Sequence, residues 1–530
     1  MPECTLGLGG RIGGDAARAA RAGQGRQRFV TAPEVEVDSG RLRGHRRNGV
    51  LRFDGIPYAE PPLGALRFRE PEPVASWSGT RMAQHAPPGP LQRPGPTLGS
   101  RPVGHTSEDC LHINVVTPDR AGRRPVMVWI YGGGFVNGAA ADPIHAGERL
   151  VARGDVVLVT FDYRLGALGF LHTDAGSNLG MRDQLAALNW IQRNIEAFGG
   201  DPRRVTLFGE SAGAMCLLTL MGMPAADKLF HAGIVQSGAA SWIADADAAE
   251  RTRRTFAAEV GSDDPEVWRS LSTEHLLAAQ QSVEAQIRAA TGRGAFRPLL
   301  DGQLIAVDGQ QAQDRAANQG RPLMLGSNGD EQRLFLAMRR SMERDDAVAR
   351  LSRALPMPTP AARRAAETLL DGYADQHPGY TTLECLAAAE TELHYRRPLL
   401  ALAARREAAS ARSWNYLFTW PSPALRGRLG ACHALEIPFV FGTLDAPGMS
   451  RFAGTDAEAW ALSERMVDAW AAFARHGDPR SAVSDWHPWD RLQQLAWIAD
   501  REARVEADPR AEERAMWDRV LTSGAAPTAD

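Results

Sequence analysis

Gly209-Glu210-Ser211-Ala212-Gly213 is the stretch of this chain best equipped for chemistry. It follows the apolar run Val205-Thr206-Leu207-Phe208 and opens Met215-Cys216-Leu217-Leu218-Thr219-Leu220, a helix-compatible segment. A G-x-S-x-G between a strand and a helix has the spacing of a nucleophile elbow, in which glycines relieve a sharp turn that thrusts a serine hydroxyl out of the backbone. Gly and Ser also fill ordinary turns, so the five residues gain their meaning from the strand before and the helix after them. Together they point to a serine hydrolase.

Such a serine needs a base, and the tetrahedral intermediate needs donors for its negative oxygen. Residues 125–131, Pro-Val-Met-Val-Trp-Ile-Tyr, read as a buried strand that runs into Gly132-Gly133-Gly134-Phe135. Glycines after a strand let N–H groups turn toward a reacting carbonyl without a Cβ in the way, so the N–H groups of Gly133, Gly134 and Ala212 are the expected oxyanion donors. On this type of sheet the chain order is nucleophile, acid, histidine. Of 13 histidines, His433 is the best placed, in a small-residue loop (Leu429-Gly430-Ala431-Cys432-His433) that leads into apolar sequence. His377, His394, His476 and His487 have polar or charged neighbours and read as solvated. For the acid, residues 322–326 resemble a short strand ending in Ser327-Asn328-Gly329-Asp330-Glu331, and a carboxylate belongs at such a strand end. Residue type leaves Asp330 and Glu331 equal. Cys432 beside His433 offers a Cys/His pair as an alternative, but adjacent side chains in a loop point apart.

With these residues assembled, the chain resembles the type B carboxylesterase and cholinesterase family, most closely its bacterial esterases. The resemblance runs from about residue 32 to about residue 520. Its markers come in the family's order: Phe53-Asp54-Gly55-Ile56-Pro57-Tyr58-Ala59, Ser107-Glu108-Asp109-Cys110-Leu111-His112, the triple glycine, Asn178-Leu179-Gly180-Met181-Arg182-Asp183-Gln184, Phe198-Gly199-Gly200-Asp201-Pro202, the elbow, Gln236-Ser237-Gly238 and the His433 loop. The resemblance implies an α/β-hydrolase fold, a Ser211–His433–Glu331 triad that selects Glu331 over Asp330, a small ester substrate, and no metal or organic cofactor. It also implies supporting roles around the triad for Glu210, Ser237 and Glu436. Gln332 stands where the family usually has glycine after the triad acid. Cys110 matches a cysteine that is bridged in secreted relatives to the preceding loop, but residues 86–92 contain no cysteine. No tryptophan lies between Trp77 and Trp129, so the family's cation–π site for choline has no counterpart at that place.

The remaining elements must hold these residues in one place. Asn48-Gly49 predicts a tight hairpin at the start of the fold. Residues 156–161 form a continuous apolar run, as a parallel sheet covered on both faces requires. Met181, Leu185, Leu188, Ile191, Ile195 and Phe198 recur at helical spacing, and Gly199-Gly200 stops that helix. Strands are also expected at 205–208, 233–236 and 414–418, and Ala-, Arg- and Glu-rich helices at 245–320 and 340–412 as insertions that roof the pocket. Residues 32–525 are read as a single domain, and the Gly-, Ala- and Arg-rich residues 1–31 as a disordered extension without a signal-type apolar run. A net charge of −3 gives no electrostatic argument for nucleic acid or an anionic membrane. No run approaches the ~18 apolar residues of a membrane span. Five scattered cysteines, Cys4, Cys110, Cys216, Cys385 and Cys432, suggest reduced thiols in a cytoplasmic protein. A monomer is compatible with all of this. Two competing functions remain in view: carbamate or amide hydrolysis on the same triad, and a non-catalytic binding protein on the same fold, which the retained serine, acid, histidine and glycines argue against.

Overall fold

Apolar runs too short for helices and rich in β-branched residues become the central strands. Val157–Phe161 is buried at every position, as is Leu323–Asn328, because helices cover both faces of the sheet. The computed structural model describes residues 32–93, 105–173, 176–239 and 242–524; the segment expected to be a disordered extension, 1–31, lies outside them, as does residue 525.

Among the described residues one sheet has eleven strands. In chain order they are β1 (His45–Arg47), β2 (Val50–Pro57), β3 (His112–Thr117), β4 (Arg124–Ile130), β5 (Val157–Phe161), β6 (Gly200–Glu210), β7 (Ala232–Gln236), β8 (Leu323–Asn328), β9 (Ser413–Phe418), β10 (Leu495–Ala499) and β11 (Arg504–Ala507). Their spatial order is β11-β10-β9-β8-β7-β6-β4-β5-β3-β2-β1. From β5 across to β10 every pairing is parallel. The flanking pairs are antiparallel. This is the α/β-hydrolase fold expected from the sequence. The Asn-Gly hairpin forms as predicted: Arg47 pairs with Val50, and Asn48 and Gly49 take φ 48° and 84°.

The helix after residue 178 runs from Leu179 to Asn194, tightens into a 3₁₀ turn over Ile195–Phe198, and ends at Gly199 with φ 80°. Ala212–Gly222 is buried along its whole length, so its apolar residues face neighbours on every side. The two helix-rich insertions form as helices. The later one makes a second hydrophobic core around Leu351, Leu369, Tyr373, Leu386 and Trp517, separate from the core around the sheet. It is built by Arg344–Ala354, Thr359–Gln376, Thr382–Thr391 and the C-terminal helix Ala511–Gly524. Between Thr382–Thr391 and Arg397–Ala408 the chain makes a π-helical turn, Glu392–Arg396. Because the middle strands run parallel, their C-terminal ends share one edge of the sheet, and the loops that leave it converge there.

Candidate active site

At that edge β6 passes into helix Ala212–Gly222 through Ser211, whose backbone has φ 54° and ψ −121°, a conformation a side chain ordinarily avoids. The two flanking glycines are required by close approach. A Cβ on Gly213 would lie 1.9 Å from the Ile130 carbonyl oxygen, and one on Gly209 would lie 2.8 Å from the same atom. The turn is therefore pressed against the end of β4, where the glycine triplet begins. Gly132 completes the fit: a Cβ there would meet Glu210 Oε2 at 2.7 Å and Ser211 Cβ at 3.1 Å. So the glycine loop lies directly against the Ser211 turn.

Beyond Gly132 the loop opens. Gly133 and Gly134 have φ 105° and 63°, and a Cβ on Gly134 would meet nothing within 4 Å. Neither glycine's N–H has an acceptor among the described residues, and Ala212, as the first residue of its helix, has no intrahelical acceptor for its N–H. Three donors in this region are thus uncommitted, two from the loop and one from a helix N-terminus.

Glu331 and His433 are brought together by the ends of β8 and of the loop after residue 429. His433 Nδ1 lies 2.6 Å from Glu331 Oε2, and both side chains are buried. The other oxygen, Glu331 Oε1, accepts the Asn328 N–H at 2.7 Å, which fixes the carboxylate. Asp330 turns away from the imidazole. Its Oδ2 accepts the Ala431 N–H at 2.9 Å, and its Oδ1 pairs with Arg333 at 3.0 Å. Asp330 thereby clamps the histidine loop, while the side chain that meets the imidazole is that of Glu331. Gln332 adopts ordinary helical angles, φ −72° and ψ −16°, and its N–H donates to Thr391 Oγ1, so this turn has no need of glycine.

His433 has a second carboxylate neighbour. Its Nε2 is 3.0 Å from Glu210 Oε1, and no hydrogen bond joins it to Ser211 Oγ among the described residues. Burial disfavours the imidazolium, but the carboxylates of Glu210 and Glu331 outweigh it and hold the histidine pKa well above its ordinary value. Behind this pair, Glu436 accepts from Gln236 Nε2 at 3.0 Å and from Asn328 Nδ2 at 2.6 Å. Burial, followed by the charges of Glu210 and Glu331, pushes its carboxyl up to about 8. Ser237, with φ 54°, is fully buried, and its Oγ has no hydrogen-bond partner among the described residues.

Two residues at the site escape reading from sequence. Tyr395 and Phe335 each pack against the His433 ring with centroids 5.1 Å apart. Tyr395 belongs to the π-helical turn, a local departure from helical spacing that residue types do not announce, although such turns recur at functional sites. Phe335 follows the acid by four residues and could have been found from that spacing. His394, expected to be solvated, is half-buried beside Tyr395, and burial lowers its pKa. His377, also expected to be solvated, stacks between Tyr373 and Tyr380. Cys432 is a buried free thiol whose pKa burial pushes up, so it is not a thiolate nucleophile.

An α/β-hydrolase sheet carrying a strained serine at a strand–helix turn, a buried carboxylate–imidazole pair and open backbone donors defines a serine hydrolase. The chain matches the carboxylesterase family over residues 31–517 and belongs to that family. It is a serine carboxylesterase. It is 36% identical over 501 residues to the para-nitrobenzyl esterase of Bacillus subtilis (strain 168), covering 92% of this chain and 98% of that protein. It is 35% identical over 498 residues to the fumonisin B1 esterase of Sphingopyxis macrogoltabida, covering 87% of each. A solved PNB esterase structure superposes with a TM-score of 0.82 at 34% identity, covering 92% of this chain and 99% of that one.

Proposed function

We propose that Ser211 is the nucleophile, His433 the general base and Glu331 the acid that orients it, with the oxyanion received by the N–H groups of Gly133, Gly134 and Ala212. The observation that carries this reading is the buried His433–Glu331 pair beside the strained Ser211 turn. As His433 Nε2 turns from Glu210 to the serine, it takes the hydroxyl proton while Oγ attacks the ester carbonyl. The tetrahedral oxyanion collapses, the alcohol leaves with the proton from His433, and the acyl group stays on Ser211. Water activated by the same imidazole then releases the acid. Glu210 tunes the charge around the imidazole, Glu436 anchors Gln236 and Asn328 behind it, and Ser237 supports the same region.

The substrate class is small carboxylic esters, with benzyl and aryl esters the first to try, as the name of the para-nitrobenzyl esterase relative suggests. We place the protein in a bacterial cytoplasm, a reading supported by four buried free cysteines, Cys110, Cys216, Cys385 and Cys432. Residues 32–525 act as one domain and as a monomer in this reading.

The decisive experiment is to treat the protein with an organophosphate and map the adduct. The mass is expected on the peptide containing Ser211, and Ser211→Ala is expected to lower kcat by roughly 10⁴-fold or more while the protein stays folded. An adduct on another serine, or an active alanine variant, would reject the assignment. A panel including one carbamate and one amide measures how far the same groups act beyond esters.

A further inference from the structure

The helical segment that follows the triad acid presents two faces. Phe335 packs on His433. Arg333 and Leu336 of this short helix, with Ala337 and Arg340 just beyond its end, line a separate cavity of about 360 Å³. Its opposite wall is Thr381, Leu383, Glu384 and Ala387, and it is completed by Arg428 and Leu429 from the start of the histidine loop. None of the groups assigned to catalysis lines it, and its volume falls in the range of small-molecule sites.

The lining is amphipathic. Leu336, Ala337, Leu383, Ala387 and Leu429 make an apolar floor, and the charged groups are three arginines against one glutamate. That glutamate is already engaged: Glu384 Oε2 accepts from both Thr381 N and Thr381 Oγ1 at 2.8 Å in a capping box. Arg333 is held by Asp330 and by the Tyr380 hydroxyl. Among the described residues the Arg428 guanidinium donates to the Arg339 carbonyl alone, at 3.2 Å, and the Arg340 guanidinium has no acceptor. Two cationic heads above an apolar floor match an amphiphilic anion.

The cavity wall is also mechanically tied to the triad. Arg333 pairs with Asp330, whose N–H donates to the Ala431 carbonyl and whose carboxylate accepts the Ala431 N–H. A Cβ on Gly430 would lie 2.3 Å from Asp330 Oδ2, so the loop carrying His433 rests on this carboxylate. Anything that draws Arg333 or Arg428 toward a new anion acts on that loop.

We propose that this cavity is a second, non-catalytic site for a medium-chain aliphatic monocarboxylate, its head taken by Arg340 and Arg428 and its chain lying along Leu336, Leu383 and Leu429. Its occupancy slows turnover by shifting the His433 loop. Binding itself does not depend on the proposed catalytic roles; the effect on turnover rests on them. A free carboxylic acid is what ester hydrolysis releases, so the site senses the class of compound that accumulates as product.

The test is calorimetric titration of the whole protein with decanoate, decanol and acetate, with and without prior organophosphate treatment. Decanoate is expected to bind in both states, at least tenfold more tightly than decanol or acetate. Arg340→Ala combined with Arg428→Ala is expected to weaken it tenfold or more, and with Arg340→Ala alone kcat on a short ester without decanoate is expected to stay within twofold. Arg340→Ala alone, which removes a group that holds nothing in the fold, is expected to weaken it at least threefold. In kinetics decanoate should lower kcat rather than raise KM. Loss of binding after organophosphate treatment, or undiminished binding in the arginine variants, overturns the site. Binding with only a KM effect overturns the coupling. Absence of esterase activity in the untreated protein would count against the catalytic assignment and leave the titration readable.

Discussion

His433 stands between two carboxylates whose roles separate on substitution. Glu331 holds Nδ1 and is itself fixed by the Asn328 N–H, so it sets the tautomer and orientation of the ring. Glu331→Gln is expected to cut kcat by about 10³–10⁴-fold. Asp330→Asn keeps the oxygen that can accept from Ala431 and loses the charge facing Arg333, so it should cost about tenfold or less; kcat for the two variants on one ester gives the ranking. Glu210 faces Nε2 and favours the charged ring. Since only neutral imidazole can take the serine proton, a pKa held above the ordinary value moves the acid limb of kcat/KM above roughly pH 6.5. Glu210→Gln removes a charge that raises this pKa and should move the limb to lower pH; a limb that stays in place would mean Glu210 does not set it. At this scale the sequence was legible where a residue type has one use. The serine and its two glycines could be found outright. Asp330 and Glu331 could not be separated by type, because their difference is the direction of a side chain, fixed by Arg333 and Ala431.

The elements that present the site are bound by backbone proximity as much as by side chains. Gly213 and Gly134 are both glycines of the active-site loops, yet they answer to different constraints. A methyl at Gly213 collides with the Ile130 carbonyl oxygen at 1.9 Å. Gly213→Ala should therefore disrupt the turn, with a Tm several degrees lower and little activity. At Gly134 the space is open, and only its φ of 63° is unfavourable. Gly134→Ala should fold at a cost of about 1 kcal/mol and lose activity mainly by displacing an N–H. Thermal melts and kcat on the same preparations distinguish the two. Strands β4 to β9 could be read from continuous apolar runs, because both faces of a parallel sheet are covered. The π turn at Glu392–Arg396 could not, since one extra residue per turn leaves no compositional mark.

For the molecule as a whole, buried carboxyls link stability to pH. Asp162 is fully buried, and burial raises its pKa to about 8, against a hydrogen bond from the Ala140 N–H. Glu436 is pushed up to about 8 as well. Each keeps a proton in the folded state that the unfolded chain releases near pH 4, so stability falls as pH rises from about 4 to about 8. Asp162→Asn removes one of these protons from the balance and offers an amide where Oδ2 has no partner. Its Tm relative to the parent should rise steadily between pH 5 and pH 8; a constant difference would show that Asp162 is not protonated in the fold. The overall architecture was legible because strands and helices alternate in order. The second core was not, since the C-terminal helix that closes it with Trp517 comes from more than a hundred residues downstream of the helices it joins.

Ser211 occupies a backbone conformation that suits glycine better than any residue with a side chain. Replacing it by glycine would relax the turn while the pleated scaffold, already fitted to flanking glycines, stays as it is. With Ser211 as the proposed nucleophile, abandoning catalysis is structurally easy in this architecture and even favourable, open to a lineage by a single residue change. A hydroxyl persists at the turn only as long as cleaving esters is worth more to the organism than a more stable fold.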